Sequence, residues 1–104
     1  MTTNEKKLQK AQLIVDSQDA AEELAHLRER SFRKIQDIRE MVNWMENQTT
    51  DESSPFIETA LIDARFQSAS DFNAILKLMG EIKKARQDVW NLELRRKALG
   101  IILS

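Results

Sequence analysis

A chain of 104 residues is the size of one domain and can bury roughly 60 to 70% of its unfolded surface. Its 16 basic and 17 acidic side chains leave a formal charge of −1, and it has no cysteine, two glycines and one proline. That composition excludes disulfides, thiolate metal sites and cysteine nucleophiles, and it lacks the global electrostatic signature of a dedicated nucleic-acid or anionic-membrane binder. It also favours helix nearly everywhere. Residues 1–12 are polar and lack the apolar core of a signal peptide. No apolar run approaches the ~20 residues of a membrane span, so no membrane partner is expected and the cytoplasm is the expected location.

Over residues 8–45 apolar side chains recur at spacings of three and four through Ile14, Ala21, Leu24, Ile35, Ile38, Val42 and Met45. Ser17, Arg28 and Ser31 interrupt the pattern. The spacing predicts one amphipathic helix over about 5–47, with the first few residues disordered. Residues 48–54 read Gln-Thr-Thr-Asp-Glu-Ser-Ser, a collection of turn and cap formers, and Pro55 follows at what would be a first helical position, so a linker is expected at 48–54. The pattern then resumes through Ile57, Leu61, Ala64, Ser68, Asp71, Ile75, Leu78, Ile82, Ala85, Val89, Leu92, Arg96, Leu99 and Leu103. This predicts a second helix over about 55–102.

Two such arms, each about 60 to 70 Å long at 1.5 Å per residue and joined by a short linker, predict a single all-α domain: a long antiparallel helical hairpin, coiled-coil-like. Gly80 in the second arm costs about 1 kcal/mol relative to Ala unless a close crossing uses it. A competing organisation breaks the second arm near 67–70, with Ser70 capping a helix from Asp71 and Phe72 to give three helices. The continuous spacing favours the unbroken arm. Folding the chain about Thr49 and Thr50 sets Leu24 opposite Ile75, Ile35 opposite Ala64, Ile38 opposite Leu61 and Val42 opposite Ile57. In that register Arg28 meets Asp71 and Ser31 meets Ser68, a polar layer that would fix the alignment at some cost in stability.

Four features are candidates for function. Glu23 and His26 have the Glu-x-x-His spacing of di-iron bundles, but with Ala21 and Leu24 on the seam they project toward solvent, so no metal site is expected. Glu46, Asp51 and Glu52 form an acidic tip, which also reads as an ordinary polar connector whose acids favour the next helix N-terminus. Basic residues cluster at Arg28, Arg30, Arg33 and Lys34, and again at Lys83, Lys84, Arg86, Arg95, Arg96 and Lys97. The candidate nucleic-acid contacts are Lys83, Lys84, Arg86, Arg95 and Arg96; in the chosen register Lys83 and Lys84 lie near Asp16 and Asp19, so screening within the hairpin is the simpler reading.

The fourth feature is a second apolar stripe at Ile62, Phe66, Ala69, Phe72, Leu76 and Met79, continued by Trp90 and Leu94, with Leu13, Ala20, Leu27, Met41 and Trp44 widening the first arm. Two helices cannot bury it. Either a broken second arm folds back over these residues, or another copy or a partner helix covers them, which makes Ile62, Phe66, Phe72, Leu76, Met79, Trp90 and Leu94 candidate interface residues. One outward histidine, no cysteine and no Gly-rich phosphate loop leave no catalytic constellation and no cofactor cradle, so an enzyme is not expected.

At residues 72–82 the run Phe-Asn-Ala-Ile-Leu-Lys-Leu-Met-Gly-Glu-Ile, followed by Ala85, Asp88, Val89 and Leu92, resembles the second core helix of small terminase subunits of T4-type phages, over less than a third of the chain. The resemblance implies a ring-forming helical hairpin that takes part in DNA packaging, with Leu78, Met79, Gly80, Val89 and Leu92 at oligomer contacts. Residues 32–44 also resemble part of a spectrin-type repeat. The sequence therefore predicts a helical interaction module of adaptor, chaperone-like or scaffolding kind that forms a homo-oligomer, a dimer or larger, or binds another helical protein. A nucleic-acid-associated oligomer is the alternative, and a helical effector that inserts its tip into an enzyme is a third.

Overall fold

The computed structural model of the protein describes residues 2–50 and 64–101. Among them there is no strand, and the chain is an all-α helical hairpin of α1 (Thr3–Thr50), α2 (Ala64–Ala69) and α3 (Phe72–Ala98). No described helix is long and apolar enough to cross a membrane. The start of a second helix at Pro55, and Asp51, Glu52, Ile57, Leu61, Ile62 and Leu103, lie outside the described residues.

Helix begins at Thr3, two residues before the expected start. The Thr2 backbone N–H donates to Glu5 Oε2 at 3.1 Å and the Glu5 N–H to Thr2 Oγ1 at 3.2 Å, a capping box that satisfies two otherwise orphaned donors. At its other end α1 runs past residue 47 to Thr50, so the first part of the expected linker is helix. Thr49 and Thr50 both donate their hydroxyls to the Glu46 carbonyl, at 3.2 and 2.6 Å. The chain cannot fold back about two residues that are still helical.

The second arm is broken, against the reading that favoured continuity. α2 ends at Ala69, and Asp71, not Ser70, caps α3: Asp71 Oδ1 accepts from the Ala74 N–H at 3.2 Å. The Ser70 hydroxyl instead donates back to the Gln67 carbonyl. An aspartate cap of this kind is worth about 1 kcal/mol. Breaking a helix interrupts the bonding of its last carbonyls; here Ser68 O accepts from the Asp71 N–H at 3.3 Å and from Lys34 Nζ at 2.9 Å. α3 stops before residue 102, in a Schellman turn: Ile101 N–H reaches Arg96 O, Gly100 N–H reaches Lys97 O, and Gly100 takes φ 72°, the left-handed conformation that glycine adopts without a Cβ penalty. Arg95, Arg96 and Lys97 in the last turn complement the helix dipole. At Gly80 an added Cβ would meet nothing within 4 Å, so among the described residues no close crossing uses the missing side chain.

The described residues form two compact units, one from the stretches Met1–Arg28 and Gly80–Ser104, the other from Glu29–Met79. In the first, Leu13 and Asp16 border Arg95 and Leu99, while Leu24 and Arg28 border Lys83, Arg86 and Trp90, which fixes the antiparallel direction. Its buried side chains are Leu13, Ser17, Leu24, Leu27 and Ala85. Ser17 is satisfied by its own helix, its hydroxyl donating to Leu13 O at 2.7 Å. In the second unit Phe66, Ala69 and Leu78 are buried, with Trp44 half-buried against Phe66, the ring centroids 6.4 Å apart and the planes at 36°.

The seam on α3 follows the predicted positions Ile75, Leu78, Ile82, Ala85, Val89, Leu92 and Arg96, all buried or half-buried, but not Leu99, which is exposed. On α1 the seam differs from the prediction. Ser17, Leu24, Ser31 and Ile38 point inward as expected. Their companions are Leu13, Ala20, Leu27, Lys34 and Met41, while Ala21, Arg28, Ile35, Val42 and Met45 are exposed. The register is displaced as well: Leu24 lies beside Val89 and Trp90 instead of Ile75.

Candidate interaction surface

The seam leaves a second line of positions on each arm. On α1, Phe32, Ile35 and Val42 each follow a seam residue directly, after Ser31, Lys34 and Met41. On α3, Leu76 and Met79 follow Ile75 and Leu78 in the same way. One residue is a rotation of about 100° on a right-handed helix, and the same sense of rotation on two antiparallel helices brings both lines out on one side of the pair. The first unit shows this directly. There Arg28 follows Leu27, while Lys83, Arg86 and Trp90 follow Ile82, Ala85 and Val89, and these four side chains line a single groove.

In the second unit this side is largely apolar, with Arg39 and Glu46 interspersed. Phe32 is 60% exposed and Phe72 67%, and Ile35, Val42, Met45, Leu76 and Met79 are exposed with them. Of the predicted interface residues, Phe72, Leu76, Met79, Trp90 and Leu94 are exposed, Ile62 lies outside the described residues, and Phe66 is corrected: it is only 9% exposed, sealed in by the chain itself. Leu78, which the terminase resemblance places at an oligomer contact, is buried in the chain's own seam, and Val89 and Leu92 are half-buried there.

In the first unit the positions that follow the seam are largely polar. The groove, about 570 Å³, is lined by Leu24, Arg28, Lys83, Arg86, Gln87, Val89, Trp90 and Glu93. Its one carboxylate, Glu93, sits 3.4 Å from Lys97 Nζ, and Arg28, Lys83 and Arg86 make no ion pair among the described residues. The predicted basic set is thus divided. Lys83 and Arg86 share the groove, and Lys84 is exposed elsewhere. Arg95 borders Asp16 in a second groove, and Arg96 is half-buried with its Nε lacking a hydrogen-bond partner. Asp16 accepts from Gln12 Nε2 at 2.8 Å and neighbours Arg95, where the predicted register had set it beside Lys83.

Of the four residues of the predicted polar layer, Arg28 is exposed in the groove, Ser31 is half-buried, Ser68 offers its carbonyl to Lys34, and Asp71 spends its carboxylate on the α3 cap. Glu23 and His26 project to solvent, and among the described residues no three His, Asp or Glu side chains are grouped to hold a metal ion. Glu46 is exposed, whereas the rest of the acidic tip lies outside the described residues. Sequence reasoning missed the α1 stripe, because it had assigned Ile35, Val42 and Met45 to the seam. It also missed the capping box, although Thr-x-x-Glu at residues 2–5 is its signature. No protein-family model matches the chain, and no curated protein or solved structure matches it either.

Proposed function

We propose that this chain is a non-enzymatic helical interaction module, an adaptor, chaperone-like or scaffolding component of the cytoplasm, that self-associates through apolar helix faces. The observation that carries the reading is the balance of exposure: among the described residues more large apolar side chains are exposed than buried, and no large side chain is sealed completely. Apolar area left in water forfeits about 25 cal/mol per Å², and contiguous apolar faces on otherwise charged proteins mark interaction sites. Light scattering on a size-exclusion column tests it. The wild-type chain should run as a dimer or larger, and Phe72→Asp with Leu76→Asp should reduce it to a monomer of unchanged helicity. A well-folded double variant of wild-type size would remove α3 from the assembly surface.

A second reading, a nucleic-acid-associated oligomer of the phage DNA-packaging kind, draws support from the groove, where Arg28, Lys83 and Arg86 stand beside a 61% exposed Trp90. Cations and an exposed aromatic ring suit phosphates and an unstacked base. Three phosphate contacts would weaken binding roughly twenty- to fortyfold between 50 and 200 mM salt. Fluorescence anisotropy with labelled DNA should show that slope in the wild type and its loss in Lys83→Glu with Arg86→Glu. Salt-independent binding, or none, would remove this reading.

A further inference from the structure

The exposed line on α1 is self-complementary. Along Thr3–Thr50 it runs Arg28, Phe32, Ile35, Arg39, Val42, Glu46 and Thr49, alternating steps of four and three, and every one of these residues is exposed. That is the spacing of a helix–helix seam, yet no described residue covers it. Arg28 and Arg39 make no ion pair among the described residues.

We propose that the occupant of this line is the same line on a second copy, running antiparallel. This rests on the self-association reading and says which surface performs it. Antiparallel pairing of such a line sets the first position of each repeat opposite the second position of the partner's, so registers differ by whole heptads. Three registers keep most of the line in contact. In one, Arg28 meets the partner's Arg39 twice by symmetry, a like-charge clash. In another, Arg39 lies along Val42, but Glu46 meets Ile35 and Phe32 meets Thr49, which sets a carboxylate and a hydroxyl against apolar groups. In the remaining one, Phe32 meets Val42, Ile35 lies along the stem of Arg39, and Arg28 meets Glu46, each contact occurring twice about a dyad. Only this register satisfies charge and hydropathy together, and a two-fold dimer requires such an isologous match. Leu76 and Met79 emerge on the same side, so the α3 face extends the contact.

Charge reversal tests the pairing. Arg28→Glu and Glu46→Arg should each weaken the dimer about tenfold, because each replaces two attractions with two repulsions, and the two together in one chain should restore it. Cross-linking tests the register. The chain has no cysteine, so Phe32→Cys with Val42→Cys introduces the only thiols. On one helix those positions are about 15 Å apart at 1.5 Å per residue, too far for a disulfide within the chain. Oxidation should therefore give a covalent dimer, while Phe32→Cys with Thr49→Cys, one heptad out of register, should not. Failure of the double reversal to rescue, or equal cross-linking in both cysteine variants, would overturn the pairing and leave self-association standing. A monomeric wild-type chain would overturn both.

Discussion

Leu27→Ala should lower the unfolding free energy by about 2–5 kcal/mol, while Arg28→Ala should change it by about 0.5 kcal/mol or less. Leu27 is 3% exposed and Arg28 projects from the surface, so truncating the first opens a cavity in a thin core and truncating the second removes a solvated stem. Against a total stability of about 5–15 kcal/mol for a domain, the leucine change alone removes a large fraction. Chemical denaturation followed by far-ultraviolet circular dichroism checks this, at a protein concentration low enough to hold the chain as a monomer. Were Arg28→Ala the costly change, the seam predicted from the sequence would be restored in place of the one described.

The contrast isolates what hydropathy spacing decides and what it leaves open. Positions Ser17, Leu24, Ser31 and Ile38 repeat every seven residues and lie in the seam under either reading. Their companions can sit three residues later, at Ala20, Leu27, Lys34 and Met41, or four later, at Ala21, Arg28, Ile35 and Val42. Each choice buries one long basic residue, and the apolar content of the two sets is similar. The decision is made by the other arm. The helix break after Ala69 leaves Ser68 O with a 3.3 Å turn bond from the Asp71 N–H, and Lys34, carried inward by the first choice, supplies a second donor at 2.9 Å. Under the second choice, Ile35 would face that polar helix end. A local signal was present: Ser70 and Asp71 followed by an apolar run read as a cap, and Asp71 fills that role. The cap, the lysine and the seam are one decision, visible only when both arms are considered together.

The α3 half of the surface was legible, because Phe72, Leu76 and Met79 repeat at helical spacing beside an equally regular seam. The α1 half was not, since the misassigned seam had used up Ile35 and Val42. The register was lost for a related reason. A fold centred on Thr49 and Thr50 assumes a short linker from residue 48, whereas α1 continues through Thr50, so the pairing is centred further along the chain. Every contact across the hairpin moves with it. The groove joining Arg28 to Lys83, Arg86 and Trp90 follows from that displacement and could not be read from charge clusters counted along the sequence.

Phe66 separates the core from the assembly surface, and its substitution should have the second large effect. Phe66→Ala should cost about 3–5 kcal/mol in the unit that holds it, because α2 is six residues long and a helix that short does not persist without tertiary contacts. Its anchors are Phe66, Ala69 and the bond from Lys34 to Ser68 O. Loss of the phenyl ring also removes the packing of Trp44, whose Nε1 is buried without a hydrogen-bond partner. Water reaching that nitrogen should shift Trp44 emission to the red, read in a Trp90→Phe background, since Trp90 is exposed in the native chain. Amide exchange at residues 64–69 should accelerate in step. Phe72→Ala should do neither: it removes an exposed ring, so the folded monomer keeps its stability while the assembly weakens. If Phe66→Ala instead left emission and exchange unchanged and abolished assembly, Phe66 would belong with Phe72 on the outer face, and the break at Ser70 would not be holding α2 against α1.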